Sequence, residues 1–102
     1  MKKIIDGKRY DTDTAAEIAR HFTSNKSESN WADERLFRTK RGNWFLFGEG
    51  YADSRWCTVA SDGMRGPGGW DIQPIAEEEA LAWLERHGET DLIEQYFEVE
   101  EA

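Results

Sequence analysis

The chain has 102 residues, with 13 Lys and Arg against 21 Asp and Glu, and its formal net charge is −8. Five Trp and an aromatic fraction of 13% exclude a disordered chain, because disordered chains are poor in aromatic residues. The length excludes two full-sized domains, and we predict a single domain over residues 1–102.

The first third of the chain predicts a hairpin, a helix and a loop. Residues 3–10 are typical of a short hairpin, because Asp6-Gly7 between two extended runs supplies the positive φ of a type I′ turn. Residues 14–17, Thr-Ala-Ala-Glu, match a capping box, and helical spacing of apolar residues follows. We therefore predict a short amphipathic helix over residues 15–22, followed by a polar loop over residues 23–30.

The middle of the chain predicts antiparallel strands. Residues 35–40 and 43–47 flank a turn, and Gly48-Glu49-Gly50 is predicted to end the second strand. This second strand is apolar on both faces, which is typical of a central strand with a helix above one face. We predict a further strand over residues 55–59 and a short last strand over residues 70–72.

The last part of the chain predicts two helices. Pro74 precedes a helix over residues 76–87, with three Glu in its first turn and Gly88 as its stop. A second helix is predicted over residues 90–97, and residues 98–102 form an acidic tail that we expect to fray. The order of elements predicts an α+β fold, in which a small antiparallel sheet carries helices on one face.

Motifs for catalysis or metal binding are weak. His21, Cys57 and His87 are far apart in sequence and lack the spacing of metal ligands, so we expect no metal and no cofactor. The Gly-rich segment 61–69 lacks the Lys of a phosphate-binding loop and is interpreted as a hairpin loop. We therefore predict that the chain is not an enzyme.

Location follows from what the sequence lacks. No apolar run approaches the roughly 20 residues of a membrane span, and charge returns too early in the chain for a signal peptide. We expect a soluble cytoplasmic protein. Cys57 is the single cysteine, so no internal disulfide is possible.

Charge is distributed unevenly along the chain. Residues 1–44 carry 10 Lys and Arg against 7 Asp and Glu, whereas residues 45–102 carry 3 against 14. Carboxylates spaced along two adjacent helices can approximate the phosphate charges of duplex DNA. Such a surface would bind a basic, DNA-binding surface of another protein, although acidic helices also serve only to keep proteins soluble. The predicted contact residues are Glu77, Glu78, Glu85, Glu89, Asp91 and Glu94, with Glu49, Asp53 and Asp62 as secondary contacts in loops.

The segment 35–47 offers a different interpretation. Its Arg and Lys residues interleave with Phe and Trp, a composition that single-strand binding sheets use. The favoured interpretation is structural, with aromatic side chains in the core and basic side chains facing water or pairing with acids. A net charge of −8 also opposes nucleic-acid binding.

Three stretches of the sequence resemble small proteins encoded on bacterial integrative elements and prophages. They are residues 3–12, residues 36–46 with Gly48-Glu49-Gly50, and residues 74–80 with Trp83-Leu84. Together they span about half of the chain, and the middle stretch is the most specific. Similar proteins commonly carry a hydroxyl residue at the helix cap, where this chain has Ala76.

The resemblance implies a setting and no catalytic motif. Small acidic proteins of such elements include anti-CRISPR inhibitors, some of which mimic DNA and occupy the DNA-binding surface of an effector complex. The leading hypothesis is therefore an acidic inhibitor whose partner is a host protein with a basic surface, such as a CRISPR effector complex. The alternatives are a nucleic-acid-binding accessory protein that uses the basic-aromatic hairpin 35–47, and a structural dimerisation module.

Overall fold

Two antiparallel sheets and two helices make up the α+β fold of the computed structural model, which describes residues 1–57 and 68–102. β1 and β2 form a two-stranded sheet, and the other strands form a four-stranded sheet in the order β3-β4-β5-β6. The elements are β1 (Lys2–Ile5), β2 (Lys8–Asp11), β3 (Ala16–Thr23), β4 (Ala32–Arg38), β5 (Trp44–Tyr51), β6 (Gly68–Ile75), α1 (Glu77–Arg86) and α2 (Thr90–Tyr96).

The predicted N-terminal hairpin is confirmed as β1 and β2. Asp6 and Gly7 both have positive φ, at 51° and 76°, as the type I′ turn requires. Tyr10 and Ile5 project from the hairpin onto the four-stranded sheet and join an aromatic cluster there. The hairpin is therefore a cover for one face of the larger sheet.

The helix predicted over residues 15–22 is wrong, because this segment is the edge strand β3. It pairs with β4 through Thr23, and a bulge between Glu17 and Ala19 shifts its register. The extra residue at a bulge changes which face the following side chains occupy, so the apolar spacing imitates a helical period. Hydrogen bonds to β4, whose paired residues lie nine or more positions along the chain, outweigh the local helical signal.

Strand β5 is longer than predicted, because Gly48-Glu49-Gly50 continues the strand to Tyr51. A Cβ added at Gly48 would lie 1.9 Å from Cε2 of Trp56. The glycine is therefore required by the close approach of the Trp56 ring, and it does not end the strand. β5 lies between β4 and β6, which confirms the predicted central position.

The strand predicted over residues 55–59 is wrong for residues 55–57, which are the part of this segment that the structure describes. Residues 55–57 follow a turn and are not paired in a sheet, while residues 58 and 59 lie outside the described residues. The last strand is longer than the predicted 70–72, because β6 pairs with β5 along its length from Gly68 to Ile75. Residues 61–67 of the predicted loop lie outside the described residues, and Gly68 and Gly69 belong to β6.

The four-stranded sheet has one face under the helices and one face partly under the hairpin. We call them the helix face and the hairpin face. Alternation along β5 places Trp44 and Leu46 on the helix face and Phe45 and Phe47 on the hairpin face. On the helix face, the residues that pack from α1 are Ala80, Trp83 and Leu84, and those from α2 and just beyond it are Leu92, Ile93, Tyr96 and Phe97.

The two predicted helices are confirmed with small differences at their ends. α1 begins after Ala76, and Glu79 accepts a hydrogen bond from the Ala76 backbone N–H at 3.1 Å. Residues 98–102 are exposed and carry no regular secondary structure. In the described ranges 1–57 and 68–102, neither helix has the length and apolar character that a bilayer crossing demands.

Candidate functional site

The carboxylates of α1 and α2 form what we call the acidic helical surface, the predicted set Glu77, Glu78, Glu85, Glu89, Asp91 and Glu94. Five of them are exposed and Glu89 is half-buried. Glu78 and Glu85 are seven residues apart, so they lie on the same side of α1, about 10 Å apart along its axis. Asp91 and Glu94 share the exposed side of α2 at a spacing of three residues. The structure thus exposes five of the six predicted residues on two helices that pack against each other, and Glu89 lies at the N-cap of α2.

The acidic helical surface is not neutralised by neighbouring bases among residues 1–57 and 68–102. Ion pairs within these ranges use acids of the strands, namely Glu17, Asp33, Glu34 and Asp71. Arg86 is the one base in α1 and α2. It lines a small cleft with Glu79, Arg55 and Gln73, at the side of α1 that faces β6. This cleft bounds the acidic helical surface on that side.

The three secondary contact residues do not form a loop site. Glu49, which was expected in a loop, lies half-buried in strand β5, where it pairs in register with Asp33 and Trp70. Asp53 lies in the turn after β5, and its carboxylate accepts a hydrogen bond from the Ser29 hydroxyl at 2.5 Å. Asp62 lies outside the described residues.

The basic-aromatic segment 35–47 is divided between the two faces of the sheet. Phe37 and Phe45 stack on the hairpin face, with ring centroids 5.1 Å apart, and both are buried. On the helix face, the Arg38 guanidinium lies 5.3 Å from the Trp44 ring and 5.6 Å from the Tyr96 ring. The favoured interpretation of these aromatic residues as core is confirmed. Because the rings are buried, they are not available to stack on the bases of a nucleic acid.

A buried carboxylate on the hairpin face is held by two arginines. Asp33 is 1% exposed. Arg20 donates two hydrogen bonds to it at 2.9 and 2.8 Å, and Arg35 donates two more at 2.9 and 3.3 Å. Burial raises the pKa of the Asp33 carboxyl, but the hydrogen bonds from both arginines outweigh burial and hold this pKa below its ordinary value. This cluster joins β3 to β4, and it engages two basic residues of the first half of the chain in ion pairs.

A second polar cluster lies on the helix face around Glu34. Its carboxylate accepts the indole N–H of Trp56 at 2.9 Å and that of Trp83 at 3.4 Å. Arg55 lies 3.5 Å from the same carboxylate. His21 is in register with Glu34 across the strands and stacks on His87, which follows α1. This cluster binds α1 to β3, β4 and the turn after β5.

Sequence reasoning missed both polar clusters. The signal was the pair of consecutive acids Asp33 and Glu34 at the start of β4, because alternation sends consecutive side chains to opposite faces. Their partners come from distant segments, so the sequence pattern does not name them. Within the described ranges, no three His, Cys, Asp or Glu side chains are gathered as metal ligands.

Comparisons of the chain with protein-family models, with curated proteins and with solved structures found no match. Among residues 1–57 and 68–102, the carboxylates of the acidic helical surface have no ion-pair partner.

Proposed function

We propose that this chain is a non-enzymatic binding protein that acts as an inhibitor of a DNA-binding host protein. The acidic helical surface occupies the basic, DNA-binding surface of that protein, in the manner of a DNA mimic. A CRISPR effector complex in the bacterial cytoplasm is the partner that the resemblance to proteins of mobile elements suggests.

One observation carries the proposal: four strand acids take part in ion pairs, whereas the acids within α1 and α2 are exposed and form no ion pair with a described base. Carboxylates fixed on packed helices need little reordering when they meet a basic surface, which lowers the entropic cost of binding. Like-charged groups that are left unpaired also attract basic partners over about 8 Å in physiological salt.

The two alternatives receive less support from the described residues. The aromatic rings of segment 35–47 are buried, so they offer no stacking platform for single-stranded nucleic acid. Four of the five Trp are also buried, and Trp70 is the exposed one at 39%. A dimer formed through exposed tryptophans would therefore depend on a single ring.

The test is a competition experiment. Binding of labelled target DNA to a purified CRISPR effector complex is measured by fluorescence anisotropy, with and without this protein, at about 50 and 200 mM NaCl. We expect inhibition that is stronger at the lower salt concentration, because electrostatic contacts are screened by salt.

A pair of charge-reversal variants distinguishes the acidic helical surface from net charge alone. Glu78→Lys with Glu85→Lys should weaken inhibition by about tenfold or more. Asp13→Lys with Glu28→Lys changes the net charge equally at exposed positions outside both helices, and should change inhibition by less than about twofold.

Three outcomes would contradict the proposal. They are an absence of competition at low salt, equal effects of the two double variants, and a gel shift of single-stranded DNA by the protein itself. Light scattering of the wild-type chain is the accompanying measurement, because a stable dimer without competition would favour the structural module instead.

A further inference from the structure

A cleft lies between the β1–β2 hairpin and the turn that joins β4 to β5. Its volume is about 510 Å³, within the range of small-molecule sites in proteins. It is lined by residues of β2 and the segment after it and by residues 39–43 of the turn. Neither of these segments contributes to the acidic helical surface, so the cleft is a separate feature of the molecule.

Packing of the hairpin on the sheet creates this cleft. Tyr10 is buried and its ring meets that of Phe45 edge-on, with centroids 5.6 Å apart. Tyr10 therefore holds the neighbouring residues of β2 beside the β4–β5 turn. The turn itself is fixed by Thr39, whose carbonyl oxygen accepts the Gly42 N–H at 2.9 Å and whose hydroxyl oxygen accepts the Asn43 N–H at 3.1 Å.

The lining of the cleft is strongly basic. Lys8 and Arg9 come from β2, and Lys40 and Arg41 come from the turn, against one lining acid, Asp11. The Asp11 carboxylate accepts a hydrogen bond from the Asp13 N–H at 2.9 Å. Within residues 1–57 and 68–102, the four cations form no ion pair. Four cationic residues that line one cleft of a protein with net charge −8 make this cleft attractive to a small anion.

We propose that this cleft binds the phosphate chain of a small ligand, such as a nucleoside diphosphate or triphosphate. Guanidinium groups donate paired hydrogen bonds to phosphate oxygens, and ammonium groups add point charges. Thr14, Thr39 and Asn43 also line the cleft and supply neutral donors. The concave shape and the net charge of the chain favour a small anion over a long nucleic acid, since the acidic remainder repels an extended polyanion.

The experiment is a titration followed by two-dimensional ¹H–¹⁵N NMR of the full chain at about 50 mM NaCl without divalent metal. The probes are inorganic triphosphate, ATP and sulfate. We expect triphosphate and ATP to shift the amide signals of residues 7–15 and 39–43, with sulfate binding about tenfold more weakly because it carries fewer charges and oxygens.

Matched variants test the four cations. Lys40→Gln with Arg41→Gln, and separately Lys8→Gln with Arg9→Gln, should each weaken triphosphate binding about tenfold. Lys2→Gln with Lys26→Gln removes equal charge from exposed positions outside the cleft, and should weaken binding less than about twofold. All the substituted side chains are exposed, and circular dichroism confirms that each variant is folded.

The proposal is overturned if triphosphate at millimolar concentration shifts no signals in these two segments, or if the control variant weakens binding as much as the cleft variants. It is also overturned if sulfate binds as tightly as triphosphate. Tighter binding of ATP than of triphosphate would support a site for the whole nucleotide, and equal binding would support recognition of the phosphate chain alone. Both results are independent of whether the acidic helical surface inhibits an effector complex.

Discussion

The imidazole rings of His21 and His87 stack with their centroids 3.9 Å apart and their planes inclined by 26°. His21 belongs to β3 and His87 follows α1, so the stack joins the edge of the sheet to the end of the helix. Trp83 meets the His87 ring edge-on at 4.4 Å. Burial lowers the pKa of His87, and the charges of His21 and Arg86 lower it further against the opposing effects of Glu34 and Glu89.

Acidification should therefore destabilise the fold through this stack. A His whose pKa is lowered in the folded state binds fewer protons there than in the unfolded chain, so stability is lost as the pH falls below the ordinary value of 6.5. Urea unfolding of the wild type and of His87→Phe at about pH 7.5, 6 and 5 measures the effect. The wild type should lose more stability than the variant over this range. An equal loss in both proteins would show that other groups cause it.

The arginines around Asp33 should stabilise the fold more at neutral pH than in acid. Asp33→Asn weakens hydrogen bonds to a buried carboxylate and should lower the free energy of unfolding by about 1.5–3 kcal/mol. Because the pKa of Asp33 is lowered by folding, its contribution is present above the ordinary value of 3.8 and is lost as the pH falls below it. The difference between wild type and variant in urea should therefore shrink in acid.

Glu17→Gln is the matched control for this prediction. Glu17 is 3.7 Å from Arg35, and its side chain is 44% exposed, so its loss should cost less than about 1 kcal/mol. If Asp33→Asn were no more costly than Glu17→Gln, the arginines would not be holding the buried charge as described.

Gly48 and Trp56 should be energetically coupled. Gly48→Ala places a methyl group on the Trp56 ring and should cost about 1–3 kcal/mol or more. In a Trp56→Leu background the ring is absent, so the same substitution should cost much less. The double-mutant cycle, measured by chemical denaturation, should give a coupling of about 0.5–3 kcal/mol. A cost that is the same in both backgrounds would locate the strain in the strand instead.

Glu85 should oppose stability while it supports binding. It lies in the last turn of α1, where a cation is favoured by the helix dipole, so Glu85→Lys should raise the free energy of unfolding by about 0.3–1 kcal/mol. The same variant should weaken inhibition of an effector complex. A variant that loses both stability and inhibition would indicate a structural contact of Glu85 and not a role in the acidic helical surface.

The start of α1 offers a stabilising substitution. Ala76 occupies the N-cap position and has no side chain that can accept a helix N–H. Ala76→Ser should raise the free energy of unfolding by about 0.5–2 kcal/mol, as measured by thermal and urea denaturation. Ala76→Val, which adds a larger apolar side chain without an acceptor, is the control and should give no gain. A gain with Val would mean that burial and not capping is responsible.

Local signals in the sequence were sufficient for several elements. Asp6-Gly7 predicts the first hairpin because the positive φ at both residues is a property of the turn itself. Pro74, the three Glu of the first turn and Gly88 predict the limits of α1, because each residue type is favoured at the start or the end of a helix by local backbone geometry or by the helix dipole. The apolar character of β5 on both faces predicts its central position, and the surplus of acids in the last third predicts the exposed carboxylates of the helices.

The tertiary structure decided what depends on partners far along the chain. Residues 15–22 carry a helical pattern, yet residues 16–23 form a strand, because pairing with β4 satisfies the backbone hydrogen-bonding groups along one edge of the strand. The sequence pattern predicts that Gly48 ends the strand, whereas in the structure the glycine makes room for the Trp56 ring. The arginine clamp on Asp33, the stack of His21 on His87 and the basic cleft each bring together groups from separate elements. Sequence spacing does not predict these contacts. They depend on the register of the sheet and on how the helices and the hairpin cover its two faces.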